Sequence, residues 1–216
     1  MSDEIEAVTE GAKAVKEIAK FGQEVVKATS GAGRYLADQA GTLPADVIGL
    51  AGGDYIRAWR LANAEGVFAK FEEKVKRRGI DKPEPLSPRH LVEAIEAASD
   101  TSDETLQEMW ANLLANAMDP NKDTSLQRVF IEALKQFEPI DALVLDAAVK
   151  HHPEGQFGAG AIARLTARRS TEIVVSGERL IQLGCFWADK RERIENFGVR
   201  PLGTELHLAC SPDSED

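Results

Sequence analysis

Residues 106–123, LQEMWANLLANAMDPNKD, constrain the fold more than any other stretch of this 216-residue chain. Apolar side chains recur there at spacings of three and four, which is the pattern of one buried helix face. Residues 99–104 offer several N-cap candidates before it, and Asp119-Pro120 ends it because proline has no amide hydrogen to donate. The stretch therefore predicts a core helix against which other helices pack, buried through Leu106, Met109, Trp110, Leu113, Leu114, Ala117 and Met118.

The same periodicity predicts helices over residues 3–28, 54–79, 88–98, 126–137, 140–151, 158–170 and 171–184. Residues 185–188 and 198–209 are predicted to be strands, the second because Leu202, Leu206 and Leu208 suggest alternation. Three helices followed by two strands is the order of a winged helix-turn-helix. The predicted fold is mainly α, with an N-terminal helical bundle and a winged-helix-like α/β module. The predicted units are residues 1–80, 81–138 and 139–210, with an acidic tail at 211–216.

The net charge disfavours broad, non-specific binding to nucleic acid, because such binding needs clustered cations. The formal net charge is −10, and residues 81–150 carry 14 acidic against 6 basic side chains. Cys185 and Cys210 are far apart without metal-ligand spacing, and the N-terminus is acidic where a secretory leader would be basic. We therefore expect a cytoplasmic protein with reduced cysteines.

Seven glycines lie between residues 22 and 53, and glycine weakens a helix by about 1 kcal/mol relative to alanine. Close approach of helices across small residues would explain them. A segment at 31–53 that changes conformation or lies on a membrane surface is the second explanation, and it ranks below the first because the dense lysine and arginine of interfacial helices is absent.

No constellation of residues predicts catalysis, a cofactor or a metal. Residues 119–130 begin like a calcium loop but carry Thr124 and Phe130 where glycine and a bidentate glutamate belong, so a turn with Asx hydrogen bonds is favoured. The adjacent His151 and His152 point apart on a helix and lack a third ligand at a usable spacing. We therefore predict a protein that is not an enzyme and has no evident small-molecule substrate.

The C-terminal module offers the strongest case for nucleic-acid binding. Its second helix, residues 171–184, would enter the major groove in a winged helix, and Arg179 is its one cation among long polar side chains. Arg168 and Arg169, just before it, could contact phosphates. Because acidic side chains outnumber cations on that helix, a structural or protein-docking role is favoured over DNA reading.

Three stretches resemble the bacterial abortive infection alpha family: DYIRAWR at 54–60, WANLLANAMDP at 110–120 and FIEALKQF at 130–137. The resemblance covers roughly residues 13–185, and WANLLAN is its most specific part. It implies a helical protein of anti-phage defence, in which infected cells stop growing or die before phage matures, and it supplies no catalytic residues. Asn112 and Asn116 are the polar positions of this run, with hydrogen bonding to nearby backbone as their simplest role.

Three hypotheses follow. The first is a non-enzymatic defence protein that acts through a protein partner, self-association or a conformational change. The second is a DNA-binding regulator that uses the C-terminal module, and the third is a membrane-perturbing effector that uses residues 31–53. The candidate interaction residues are Asn112, Asn116, Arg168, Arg169 and Arg179.

Overall fold

The computed structural model describes residues 54–153, 155–188 and 196–212. The predictions for residues 1–53, including the Gly-rich segment, and for most of the acidic tail lie outside this part of the chain. Within it no helix is long and apolar enough to cross a bilayer.

The helices and strands follow one another as α1 (Asp54–Arg78), α2 (Pro88–Ser99), α3 (Glu104–Met118), α4 (Arg128–Leu134), α5 (Pro139–His151), β1 (Gln156–Gly158), α6 (Ala159–Thr166), α7 (Ser170–Gln182), β2 (Phe186–Ala188), β3 (Asn196–Val199) and α8 (Pro201–Cys210). The prediction of a mainly helical protein is confirmed, and the sheet is small.

Helix α3 is the central element, as its sequence predicts. Asp103 caps it by accepting the amides of Thr105 and Leu106 through Oδ1, at 2.9 and 3.1 Å. The helix ends at Met118, directly before Asp119-Pro120. Every residue from Trp110 to Met118 is buried. A helix buried on all sides lies between other elements, and α3 packs against both α1 and α8.

Helix α1 lies along α3 and is anchored by ion pairs at several levels. Lys74 Nζ lies 2.5 Å from Glu108 Oε2, and Arg60 Nε lies 2.6 Å from Asp100 Oδ1. Ile56 and Trp59 are exposed, although helical apolar spacing over residues 54–79 predicts that they lie on the buried side of α1. Gly79 follows α1 with φ +65°, a conformation that glycine adopts without strain.

The described part of the C-terminal half combines helices α5, α6, α7 and α8 with a three-stranded antiparallel sheet of order β1-β3-β2. Phe157, Phe186 and Phe197, one from each strand, form a buried aromatic cluster with ring centroids 5.4 to 6.4 Å apart. Helix α7 covers this cluster at Gly177, where a Cβ would lie 2.6 Å from the ring of Phe197. Glycine is therefore required there by close approach of the helix to the sheet.

The predicted strand at 198–209 is wrong over most of its length. Residues 196–199 form β3, but Pro201–Cys210 is helix α8. Pro201 occupies the first position of α8, where its missing amide hydrogen costs nothing and its fixed φ suits a helix. Leu202 and Leu206 are four apart and satisfy a helical spacing as well as an alternating one. Burial of α8 against α3 decides between the two.

Candidate functional site

A cleft of about 1070 Å³ opens between α3, α5, α7 and the end of α8. Four of the five candidate residues line it: Asn112, Arg168, Arg169 and Arg179. Asn112 is on α3 and the three arginines lie on or just before α7, so their convergence is a result of the tertiary fold. We name this space the α3–α5–α7 cleft.

Asn112 lines the cleft and joins α3 to the end of α8. Its Nδ2 donates to the carbonyl oxygen of Cys210 at 3.0 Å, across 98 residues of sequence. The side chain is only 4% exposed, and its Oδ1 accepts no hydrogen bond from the part of the chain that the structure describes. A buried acceptor without a donor is unusual in a folded protein.

Asn116 lies one turn further along α3 and outside the lining of the cleft. Its Nδ2 donates to the carbonyl oxygens of Ala209 and Ser211, and its Oδ1 accepts from Arg78 Nη1 and Lys122 Nζ, both at 2.8 Å. The amide therefore links α1, α3, the turn after α3 and α8. Most of these partners are distant in the sequence, whereas the simpler expectation was that the Asn116 side chain bonds to nearby backbone.

Arg168 and Arg169 lie at the start of α7, where the backbone amides favour negative charge. Glu172 supplies this negative charge. Its Oε2 accepts a hydrogen bond from the amide of Arg169 at 3.0 Å, and its Oε1 accepts one from Arg169 Nη2 at 3.0 Å. The side-chain hydrogen bond with Arg169 lowers the pKa of Glu172, and the same bond raises the pKa of Arg169. Both arginines are exposed at the rim of the cleft.

Arg179 lies deeper in the cleft and pairs with a buried carboxylate. Its Nη1 lies 2.7 Å from Oδ2 of Asp141, which is fully buried. Asp141 also accepts Ser176 Oγ at 2.6 Å and the amide of Glu138 at 2.8 Å. The Asp141 carboxylate thus caps the first turn of α5 and joins α5 to α7 by hydrogen bonds. Sequence reasoning missed Asp141, although an acid at the third position of a helix after Glu138-Pro139 is a capping signal.

Asp146 and His207 form a second polar cluster at the α8 end of the cleft, which sequence reasoning also missed. Asp146 Oδ1 lies 2.9 Å from His207 Nε2 and 2.9 Å from Lys150 Nζ. Partial burial raises the pKa of Asp146, but the hydrogen bonds to His207 and Lys150 outweigh it and hold that pKa below its ordinary value. No local pattern could reveal this pair, because 61 residues separate the two side chains.

Ser211, His207 and Asp146 contact one another in series, but Ser211 does not have the geometry of a nucleophile. Its Oγ donates to the carbonyl oxygen of His207 at 2.7 Å, whereas His207 Nδ1 is 3.4 Å away. The hydroxyl proton is therefore used by the helix backbone, and the imidazole is too far to remove it efficiently. We assign Ser211 to the end of α8.

Neither cysteine has the environment of a reactive thiol. Both are buried and free. Burial, with the charge of Asp141, raises the pKa of Cys185 to about 11, and burial raises the pKa of Cys210 as well. Such thiols stay protonated near neutral pH and behave as small apolar side chains. Among the described residues no cluster of three or more possible metal ligands occurs.

The walls of the cleft are partly apolar. Met109 and Ile140 are half-buried there, and Val175 on α7 is 56% exposed. The carboxylates of Asp103, Glu108 and Glu138 also line the cleft. The cleft therefore combines an exposed apolar side chain with charged groups.

A model of the family described as abortive infection alpha matches residues 63–197, which is well over half of the chain. The matched region contains helices α2 to α7, most of α1 and all but the end of the sheet, whereas α8 lies outside it. No curated protein and no solved structure gives a significant match.

Proposed function

The chain belongs to the abortive infection alpha family, and from that premise we propose that it is a bacterial anti-phage defence protein of the abortive infection type. We propose further that it acts without catalysis, through contact with a protein or through a conformational change. The family match is the observation that carries the first part. The second part rests on the chemistry of the α3–α5–α7 cleft.

Two of the arginines of the cleft support a contact role because each is engaged with a carboxylate of the fold. Arg179 is bound by Asp141, and Arg169 is bound by Glu172. A catalytic acid or base is normally free to approach a reacting atom, and these groups are not. Val175, by contrast, is exposed between them and offers apolar area to a partner.

A phage challenge with two matched variants tests both parts. Val175→Arg places a cation in the cleft, and Val129→Arg makes the same change on α4, where Val129 is 43% exposed and outside the cleft. We expect the wild-type protein and Val129→Arg to lower plaque counts in a phage-sensitive host, and Val175→Arg to lose that protection. Equal thermal stability of the two variants serves as the control for folding.

The two parts of the proposal fail separately. Unchanged plaque counts with the wild-type protein across a broad phage panel would remove the defence role. Protection by Val175→Arg equal to that of the wild type would leave the defence role and remove the cleft as the contact surface. Survival of the culture at a high infection ratio distinguishes suicide of infected cells from direct inhibition of the phage, since suicide lowers that survival.

DNA binding is the second candidate, and the order of elements supports it. The succession α5, β1, α6, α7, β2, β3 matches that of a winged helix, with α7 as the helix that would enter the major groove. The charges argue against it, because the carboxylates of Asp103, Glu108 and Glu138 line the same cleft as α7. Phosphate groups brought to that face of α7 would be repelled.

A gel shift at low salt decides the matter. If the module binds DNA, the double variant Arg168→Ala/Arg169→Ala should abolish a salt-sensitive shift that the wild-type protein gives. Absence of any shift with the wild-type protein at low salt excludes this candidate, since phosphate contacts are strongest under that condition.

A further inference from the structure

The corner between α6 and α7 is rich in positive charge, in a chain whose net charge is −10. Residues 155–171 hold three arginines and no acidic side chain, although 17 residues would hold about three at the average density of 36 in 216. The arginines are Arg164, Arg168 and Arg169, and all three are exposed. We name these three residues, together with Leu165, the α6–α7 corner.

One of the three charges is neutralised by a neighbouring carboxylate. Arg169 pairs with Glu172 at 3.0 Å. The hydrogen bond with Arg169 is the main cause of the lowered pKa of Glu172, and the charge of Arg168 is the smallest. Neither Arg164 nor Arg168 forms an ion pair within the described part of the chain. Two cationic side chains therefore remain available at the surface to an anionic partner.

A large apolar side chain lies between Arg164 and Arg168 in the sequence. Leu165 is 49% exposed and is the second-last residue of α6. The turn after it is fixed, because the amide of Arg168 donates to the carbonyl oxygen of Ala163 at 3.2 Å and Ala167 has φ +54°. Left-handed backbone of this kind commonly ends a helix. It holds Arg168 beside the last turn of α6, where Leu165 lies.

Positive charge alone does not distinguish this corner from the rest of the surface. Lys76 and Arg77 are also exposed, in the last turn of α1. However, Glu73 is exposed one turn before them, and Ile80, the next large apolar side chain, is buried. The α6–α7 corner differs because its cations flank an exposed leucine.

A partner for this corner has to offer negative charge and apolar material at nearly the same place. An anionic phospholipid bilayer does so, because its phosphate groups lie directly above the hydrocarbon chains. Arginine suits this position, since its guanidinium pairs with phosphate while its stem lies along apolar surface. The backbone of a nucleic acid would pair with the arginines but give Leu165 little apolar contact. The corner therefore fits a lipid surface better than a nucleic acid.

The net negative charge of the chain weakens such binding without preventing it. At an ionic strength of 0.1 M the Debye length is about 10 Å, so charges that touch the membrane count more than distant ones. We therefore expect weak and reversible binding that depends on the few side chains of the corner.

We propose that the α6–α7 corner binds the surface of an anionic phospholipid membrane, with Arg164 and Arg168 at the lipid phosphates and Leu165 in the outermost hydrocarbon. This surface goes beyond the proposed defence function and does not depend on it. It also differs from residues 31–53, to which the membrane hypothesis from the sequence refers.

Vesicle binding by the full chain tests the proposal. Vesicles of phosphatidylcholine alone, and of equal parts of phosphatidylcholine and phosphatidylglycerol, share an apolar interior and differ in surface charge. A DNA duplex in the same buffer is the third probe. We expect cosedimentation with the mixed vesicles at about 0.1 M salt and its loss at about 0.5 M, because salt screens the attraction. We expect little binding to the neutral vesicles or to DNA.

A matched pair of double variants locates the charge that matters. Arg164→Glu/Arg168→Glu reverses two charges at the corner, and Lys76→Glu/Arg77→Glu makes the same change at the end of α1. We expect the first to weaken binding to the mixed vesicles at least about tenfold, and the second to remain within about threefold of the wild type.

A fluorescent probe tests the position of Leu165 without removing any charge. Leu165→Cys and Leu208→Cys replace leucines of similar exposure, 49% and 57%, on different helices. Each is labelled with a nitrobenzoxadiazole group, which reacts slowly with Cys185 and Cys210 because both are buried. We expect the mixed vesicles to shift the emission to the blue only for the label at position 165. This readout remains decisive if the arginine variant does not fold.

Four results would overturn the proposal. Absence of binding to the mixed vesicles would remove the membrane as a partner, and equal binding to neutral vesicles would remove the role of charge. Binding to the DNA duplex that exceeds binding to vesicles and is lost in Arg164→Glu/Arg168→Glu would assign the corner to nucleic acid. Full vesicle binding by that variant, or equal emission shifts at positions 165 and 208, would place the membrane contact elsewhere on the chain.

Discussion

At the scale of single residues, Asn112 and Asn116 show how one helix face can carry two different polar environments. Asn116 is fully buried, and its amide makes four hydrogen bonds. Asn112 is almost as deeply buried, but among the described residues only its Nδ2 finds a hydrogen-bond partner. The two side chains have the same chemistry, so the difference in their bonding should be visible in their contributions to stability.

We expect Asn116→Ala to lower the free energy of unfolding by about 3 kcal/mol, because it leaves Arg78 and two carbonyl oxygens with fewer partners. Asn112→Ala should cost only about 1 kcal/mol, since it removes one hydrogen bond together with an acceptor that was already unpaired. Urea denaturation of both variants measures the difference. Equal losses would show that Asn112 Oδ1 has a partner in solution.

The ion pair between Glu108 and Lys74 predicts a pH dependence. The pKa of Glu108 is lowered in the folded protein, so its contribution to stability is present above the ordinary value of 4.5 and is lost as pH falls through the lowered value. We expect the stability advantage of the wild type over Glu108→Gln to shrink as pH falls from about 5 to about 3. Denaturation midpoints across this range measure it.

Lys74→Met provides the control for that measurement, since it removes the cation and keeps the apolar part of a side chain that is almost fully buried. In its background, replacing Glu108 should change the acid limb of the stability curve less, because only Lys70, 3.6 Å from Glu108 Oε1, remains as a partner. An unchanged effect of Glu108→Gln in the Lys74→Met protein would assign the pH dependence to another partner.

At the scale of elements, α8 is the part of the structure that most changed the interpretation. As a strand it would have belonged to the small sheet, whereas as a helix it packs against α3 and α5. Its amino-terminal end is packed closely against the residue before β2, since a Cβ on Gly203 would lie 2.5 Å from the carbonyl oxygen of Cys185. Helix α8 therefore connects the sheet to the central helix.

Two leucines of α8 provide a direct test of that packing. Leu206 is fully buried and Leu208 is 57% exposed. We expect Leu206→Ala to cost about 3 kcal/mol of unfolding free energy through lost burial and a residual cavity. Leu208→Ala should change it by less than about 0.5 kcal/mol. Similar losses at the two positions would favour a strand at 198–209 after all.

At the scale of the whole molecule, one contiguous core runs from α1 to α8. Helix α3 contributes its surface to both the N-terminal helices and α8, and α5 packs against α7, α6 and α8. The division into units at residues 81–138 and 139–210 stays a prediction. A shared core of this kind favours cooperative unfolding of both.

We therefore expect a single unfolding transition for residues 54–212. Circular dichroism follows the helices, and tryptophan fluorescence follows Trp110 in α3 and Trp187 in β2, which lie in different halves of the described chain. The two signals should change at the same denaturant concentration. Two separate midpoints would show that residues 81–138 and 139–210 unfold as independent units.

Local patterns in the sequence predicted those features that short-range physics controls. The extent of α3 follows from its apolar spacing, the cap at Asp103 and the stop at Asp119-Pro120, all within 18 residues. The helices of the C-terminal half follow from the same kind of signal. The spacing of Leu202 and Leu206 fits both a strand and a helix. The local pattern could not separate the two, and the predicted strand is wrong.

By itself, the sequence determined the helical class of the protein, the central position of α3 and membership in a defence family, because periodicity, caps and a specific run of residues are local properties. The tertiary structure alone decided that α8 is a helix against α3, that Asp141 and Arg179 meet, and that four candidate residues share one cleft. Contacts such as Asn112 with Cys210 span 98 residues, and only the packing of the whole core brings such atoms together.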